Sequence, residues 1–161
     1  MITKQQAKKR IIISLVSICI LVVLWIILKY IPTPSPETFL EQKIVTIGST
    51  PLSVEIADND IERAKGLSGR KSLDNDAGML FIFDHAEQYS FWMPDMYFPI
   101  DIIWINDGVI VGIEKNVSNI FDSENPGYYY PPVAVNTVLE VNAMFTEINN
   151  IKVGDKITVL E

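Results

Sequence analysis

The stretch FWMPDMYFPIDIIWI, residues 91–105, places a carboxylate, Asp101, two residues past Pro99 and between Ile100 and Ile102. An ionised carboxylate in an apolar run is costly to bury unless a partner meets it. If 99–105 is a strand, Asp101 shares a face with Ile103 and Ile105, and Ile100, Ile102 and Trp104 take the other. Both faces are then largely apolar, so the carboxylate calls for a dedicated partner. The chain beyond residue 30 offers few cations: Arg63, Arg70 and six lysines. A planar guanidinium suits a bidentate carboxylate pair. Arg70, between a helix and a central strand, is the expected partner of Asp101, and Arg63 is the second choice.

Two functions suit these residues. In the first, the domain is a binding module. Phe91, Trp92, Tyr97 and Tyr128-Tyr129-Tyr130 present flat apolar faces, and Asp101, Arg70 and Glu140 present hydrogen bonds, a set suited to a glycan, a peptide or a protein partner. Met93 and Arg63 complete the candidate site. In the second, the protein is a hydrolase-like enzyme in which Asp95, Asp101 or Glu140 acts as acid or base, tuned by burial. The binding module is favoured because no second catalytic group can be placed from the sequence. Against both stands a plainer reading, in which Asp101 and Arg70 form a buried pair that fixes a loop. Trp104, Met79, Phe81 and Phe83, on strands with apolar neighbours, read as core.

Other chemistries find little footing. The lone cysteine, Cys19, lies in an apolar block near the start, so no thiol nucleophile is expected in the domain. The single histidine, His85, sits in the polar DHAEQ and reads as a surface loop residue. Gly66 and Gly69 follow a helix instead of opening one, unlike a phosphate loop. The acidic pairs Asp58/Asp60 and Asp74/Asp76 lack the spacing of a calcium loop and read as solvated turns. No metal and no cofactor is expected.

The elements that must carry these residues are mostly strands, because the dominant period from Lys43 onward is two. Leu52, Val54 and Ile56 alternate with Ser53, Glu55 and Ala57, and GMLFIF (78–83) reads as a central strand. Residues 88–93, 99–105, 109–115, 133–142 and 155–160 read as further strands. Asn106-Asp107-Gly108 between two apolar runs is a hairpin signal. One helix is expected at NDIERAKG, with Asn59 and Glu62 as a capping box, Gly66 as the stop, and Ile61 and Ala64 buried. A second short helix or turn is expected at AMFTEI (143–148). The fold class is mainly β (α+β): a small, mostly antiparallel, partly closed barrel-like domain over 43–161 with one or two short helices.

Ahead of it, Ile11 to Leu28 form an apolar block interrupted only by Ser14, Ser17 and Cys19. As a helix the block would span roughly 27 Å, close to the hydrocarbon thickness of a bilayer. The block exceeds a signal peptide's apolar core, and Lys29-Tyr30-Ile31-Pro32 offers no small-residue cleavage site. A single transmembrane helix over 11–30 is expected, anchoring the chain in the membrane through Ile11–Leu28. Lys4, Lys8, Lys9 and Arg10 precede it, so residues 1–10 belong in the cytoplasm and the domain outside. Pro32, Pro34 and Pro36 make 31–42 an extended, semi-rigid spacer. Beyond the anchor stand eight basic residues and all twenty acidic ones, a balance of −12 that repels nucleic acid.

The phrases IERAKGLSGR, GMLFIF, FWMPDMYFPIDIIWI, VLEV and IKVGDKI occur in an order and spacing that resemble the domain of unknown function family numbered 192. The resemblance covers nearly all of 43–161. It rests on Arg63, Gly66, Leu67, Arg70, Gly78, Met79, Trp92, Met93, Pro99, Asp101, Leu139, Glu140, Gly154 and Asp155. It implies a small β-rich domain, often set behind a signal or membrane anchor, and no assigned activity. The chain departs from the pattern in three places: Ser68 stands where methionine is usual, Pro94-Asp95 where a basic-polar pair is common, and Met144 where glycine is expected.

Overall fold

The computed structural model describes residues 5, 17, 18, 20–26, 29 and 40–160. The chain divides into two compact units, Met1–Thr38 and Phe39–Glu161. In the first, the described residues are helical. Among the described residues no helix is long and apolar enough to cross a membrane. Residues 11–16, 19, 27, 28 and 30 of the expected anchor, and 31–39 of the expected spacer, lie outside the described residues.

The second unit is one seven-stranded sheet with two short helices. Its strands are β1 (Gln42–Ile47), β2 (Thr50–Ala57), β3 (Ala77–Glu87), β4 (Ile100–Asn106), β5 (Val109–Val117), β6 (Val135–Asn142) and β7 (Ile157–Leu160), and its helices are α1 (Asp60–Lys65) and α2 (Phe145–Ile148). The spatial order is β5-β4-β6-β3-β2-β1-β7. Asp107 and Gly108, both at positive φ, turn the β4–β5 hairpin as the sequence signal requires. The sheet curls until its edges touch at one end. There the Ile110 N–H donates to Asp155 O and the Ile157 N–H to Gly108 O, each at 2.9 Å. The result is a mainly β half-barrel with few short helices.

Apolar residues on both sides of each central strand create two cores. Val45, Leu52, Val54, Leu80, Ile103, Ile105, Leu139 and Val141 fill the concave side with Phe145 of α2. Met79, Phe81, Ile100, Ile102, Trp104 and Val138 fill the other, beneath the irregular segments that cover it. The alternation expected for 99–105 therefore holds residue by residue. One pairing, β2 with β3, is parallel. Parallel neighbours require a crossover, and α1 with the chain that follows it is that crossover.

Two of the expected elements need correction. The helix at NDIERAKG forms, and the Asn59 side chain accepts from the Glu62 N–H, but the helix buries nothing: Ile61 is 82% exposed and Ala64 is exposed too. Six residues riding on a crossover need not present an apolar face to the sheet. Residues 88–93 are not a strand; only Phe91 pairs, with Tyr129. The alternation there arises because an extended segment packs Phe91 and Met93 inward and leaves Ser90 and Trp92 outward, with no ladder along it.

Asp101 is fully buried, and its partner is not an arginine. One carboxylate oxygen accepts from the Thr146 N–H at 3.0 Å and the Thr146 hydroxyl at 2.6 Å. The other accepts from the N–H groups of Asn116 at 2.9 Å and Met144 at 3.3 Å. Asn116 and Met144 both sit at positive φ, and Met144 is where the family resemblance leads one to expect glycine. Left-handed backbone costs a non-glycine residue about 1–2 kcal/mol, so Asp101 holds two strained turns and the start of α2 against β4. The expected pairing with Arg70 or Arg63 is thus replaced by three backbone N–H groups and a hydroxyl, which satisfy a carboxylate without a second buried charge.

Asp101→Asn keeps the volume but turns an amide NH2 toward N–H donors whichever way it is flipped. We expect a loss on the order of 3 kcal/mol, read as a fall of roughly 10 °C in the Tm of the full chain in detergent. An unchanged Tm would remove Asp101 from its role as the tie between β4, β5 and α2.

Candidate functional site

On the convex side of the sheet a cleft of about 290 Å³ opens between α1 and the segment 89–96. Its floor comes from β3 and β6. Phe81 and Phe83 reach it from β3, and Glu140 reaches it from β6, in register between Met79 and Ile102. The β3–β6 approach depends on Gly78, where a Cβ would lie 2.9 Å from the Glu140 carbonyl oxygen. Any side chain there would push apart the two strands that form the floor.

One wall is α1 and its exit. Gly66 ends the helix at φ 47 and donates its N–H to Glu62 O; a Cβ there would stand 3.4 Å from the Phe81 ring. Arg63 fastens α1 to β3: its guanidinium donates to the carbonyls of Asp58 and Ile82, bonds Asp60 Oδ1 at 2.7 Å, and lies 5.1 Å over the Phe83 ring. Three of its five N–H donors are used on the protein, and these bonds fix Arg63 as part of the wall.

The opposite wall is aromatic. Tyr89 stacks on Phe83 at 3.7 Å, and Phe91 meets Phe81 edge to face at 5.1 Å. Trp92, 49% exposed, stands at the rim and stacks with Tyr128, which is followed by Tyr130. The tyrosine run thus extends the wall outward. Backbone bonds pin this segment to the loop that carries the run, in both directions between Phe91 and Tyr129 at 2.9 and 2.8 Å. At its far end the Ser68 hydroxyl donates to Pro94 O and the Gly69 N–H to Asp95 O, each at 2.9 Å.

Glu140 is the chemically unusual group. It is 5% exposed, and among the described residues no donor and no cation meets its carboxyl. Burial alone pushes its pKa up to about 8. The carboxyl therefore stays protonated at neutral pH. Glu140 is also the only acid lining the cleft among the described residues.

The other candidates are dispersed. Arg70 forms a bidentate pair with Glu55, at 2.5 and 2.7 Å, beside a separate polar cavity of about 270 Å³. Glu55 lies in register with Met79, which places the pair about 10 Å from Glu140, two strands away. Met93 is core. Asp95 is exposed, and Asp101 lines none of these cavities. Of the residues singled out from the sequence for the site, Arg63, Phe91, Trp92 and Glu140 come together here. Phe83, read as core, and Tyr89, Ser68 and Met96 join them. Only the parallel crossover, which lays α1 over β3, reveals that second set, and nothing local to those residues announces it.

Folding should take up a proton at Glu140. The unfolded chain releases it in the ordinary carboxylate range and the folded chain at about 8. Stability from this group is complete below about pH 4, declines as pH rises toward 8, and is level above. Glu140→Gln removes the decline. Its Tm should therefore gain on wild type from about pH 5 to about pH 8 by an amount reflecting several kcal/mol, and parallel melting curves across that range would show that the buried acid is ionised.

No functionally curated protein matches the chain. Solved structures share the fold, among them the following two. A protein from Sinorhizobium meliloti 1021, described provisionally as a transcription regulator, is 28% identical and superposes with a TM-score of 0.70 over 76% of this chain and 97% of its own. A protein of unknown function from Novosphingobium aromaticivorans DSM 12444 is also 28% identical, with a TM-score of 0.68 over 79% of this chain and 91% of its own. The family model of DUF192, an uncharacterized ACR, matches residues 43–159, a span that contains every residue of the cleft and all of the sheet except Gln42 and Leu160, its first and last residues, and this chain belongs to that family.

Proposed function

We propose that the protein is a membrane-anchored, extracytoplasmic binding module of the cell envelope that holds its ligand in the cleft over Glu140. The observation that carries this reading is a buried, partnerless acid at the floor of an aromatic-walled cavity. Such a group weakens the fold, and groups kept at a cost to stability are characteristic of functional sites. The cleft combines aromatic walls with a few polar groups, Glu140 at its floor among them, the usual make-up of a small-ligand site.

Two other readings fare less well. Carboxylate-based hydrolysis of a glycan needs two acids facing one bond, and the cleft offers Glu140 alone among the described residues. Asp101, the acid of that alternative, has all its acceptor capacity directed at β5 and α2. A DNA-binding role, which the Sinorhizobium relative's description would suggest, conflicts with the −12 balance beyond residue 30. The anchor rests on the apolar block Ile11–Leu28 and the basic residues before it.

Ser90 is exposed at the cleft mouth, so Ser90→Trp should block entry with little effect on folding. In a thermal-shift panel of glycan fragments, peptides and small organic ions, ligands that raise the Tm of the full chain should fail to raise that of the variant. Equal shifts in both, or none in wild type, would refute the cleft as a binding site. Protease added outside spheroplasts should digest the unit Phe39–Glu161, and its protection would reverse the orientation.

A further inference from the structure

We infer that the ligand is a small organic ammonium ion, seated against the aromatic wall with its positive charge over the carboxylate of Glu140. The inference rests on the cleft being the binding site and goes further by naming the chemistry it accepts.

The floor presents half of an ion pair. A buried carboxyl with no donor and no cation is the arrangement left when one partner of a buried pair is missing. Met79 and Ile102 flank Glu140 along the sheet and Phe81 lies on the same floor, so the open side of its carboxyl is the cleft. The walls around it are aromatic: Tyr89, Phe91 and Trp92 line the space with Phe83, whose own ring is covered by Tyr89 at 3.7 Å and by the Arg63 guanidinium at 5.1 Å. Aromatic rings attract ammonium groups through their quadrupoles, more strongly where water is excluded. A neutral sugar or alcohol would gain one hydrogen bond from the protonated acid. A cation gains a charge-assisted contact and the ring faces together.

The charges around the site permit this. On α1, Arg63 is neutralised by Asp60 at 2.7 Å. Lys65 is exposed at the rim and folds back along the exit loop, its Nζ 3.3 Å from where a Cβ on Gly69 would stand. From β3 and β4 the groups flanking Glu140, Met79 and Ile102, are uncharged. From the segment 89–96, Tyr89 faces the cleft and Asp95 is turned to solvent. Glu55 and Arg70, two strands away, cancel each other. The acidic balance of the region beyond the anchor raises the local concentration of cations.

Binding then carries a proton balance. The neutral acid and the cation become a carboxylate–ammonium pair, and the proton of Glu140 passes to the buffer. Affinity must rise with pH while the free acid is protonated and become level once it is ionised.

Choline, whose charge is independent of pH, and 3,3-dimethyl-1-butanol, its neutral isostere, test this on the full chain in non-ionic detergent by calorimetry in two buffers of different ionisation heat. Choline should bind at least about tenfold more tightly than the alcohol. It should release close to one proton at about pH 6 and almost none above about pH 9. Glu140→Gln, which keeps the shape of the floor, should weaken choline binding and the preference and abolish the release. Choline that does not bind at millimolar concentration, binds no better than the alcohol, or binds Glu140→Gln equally well overturns the inference. The cleft itself is judged separately, since any ligand that binds Ser90→Trp as well as wild type refutes the site, whatever its charge.

Discussion

A carboxylate buried without a cation must find its hydrogen bonds in the backbone, and Asp101 shows how much structure can hang on that requirement. Its two oxygens draw together a turn in β5, the left-handed residue before α2 and the first turn of α2 itself. These lie 15 to 45 residues away from it in sequence. Phe145, carried by α2, then enters the concave core. Removing the acceptor would leave several N–H groups facing an apolar interior, so the half-barrel depends on this one side chain more than on any ion pair in it.

The convex side holds a second buried acid treated in the opposite way. Asp101 is fully satisfied and inaccessible, whereas Glu140 is satisfied by nothing in the described protein and opens on a cleft. Since β4 and β6 are neighbours, the two acids lie on adjacent strands and on opposite faces. One sheet therefore separates an acid that holds the fold together from an acid that weakens it. The Glu55–Arg70 pair is a third case: partly exposed and bidentate, with the guanidinium holding the Glu55 carboxyl below its usual range.

What could be read from the chain follows from the range of the interactions involved. The side-chain alternation in IDIIWI is local, and it assigned Asp101, Ile103 and Ile105 to one core and Ile100, Ile102 and Trp104 to the other. The hairpin at Asp107-Gly108 and the cap at Asn59 are local too. The partner of Asp101 was not legible, because a search among cations overlooks backbone N–H groups and a threonine hydroxyl 45 residues away. The exposure of Ile61 is not legible in the sequence, because an apolar residue in a helix ordinarily belongs to a packed face. Glu140 was visible as a carboxylate in VLEV, but its lack of partners depends on its register with Met79 and Ile102.

The segment 89–96 is tied at Phe91 by two backbone bonds to Tyr129, and at Pro94 and Asp95 by bonds from Ser68 and Gly69. Four short hydrogen bonds at two points leave the aromatic wall little freedom to swing. A cleft built this way is already formed when a ligand arrives, so most of the ordering entropy that a flexible loop would lose on binding has been lost during folding. Entry then resembles diffusion into a fixed recess rather than capture by a closing flap. Residence time would be set by the contacts at the floor and walls and not by the opening rate of a gate.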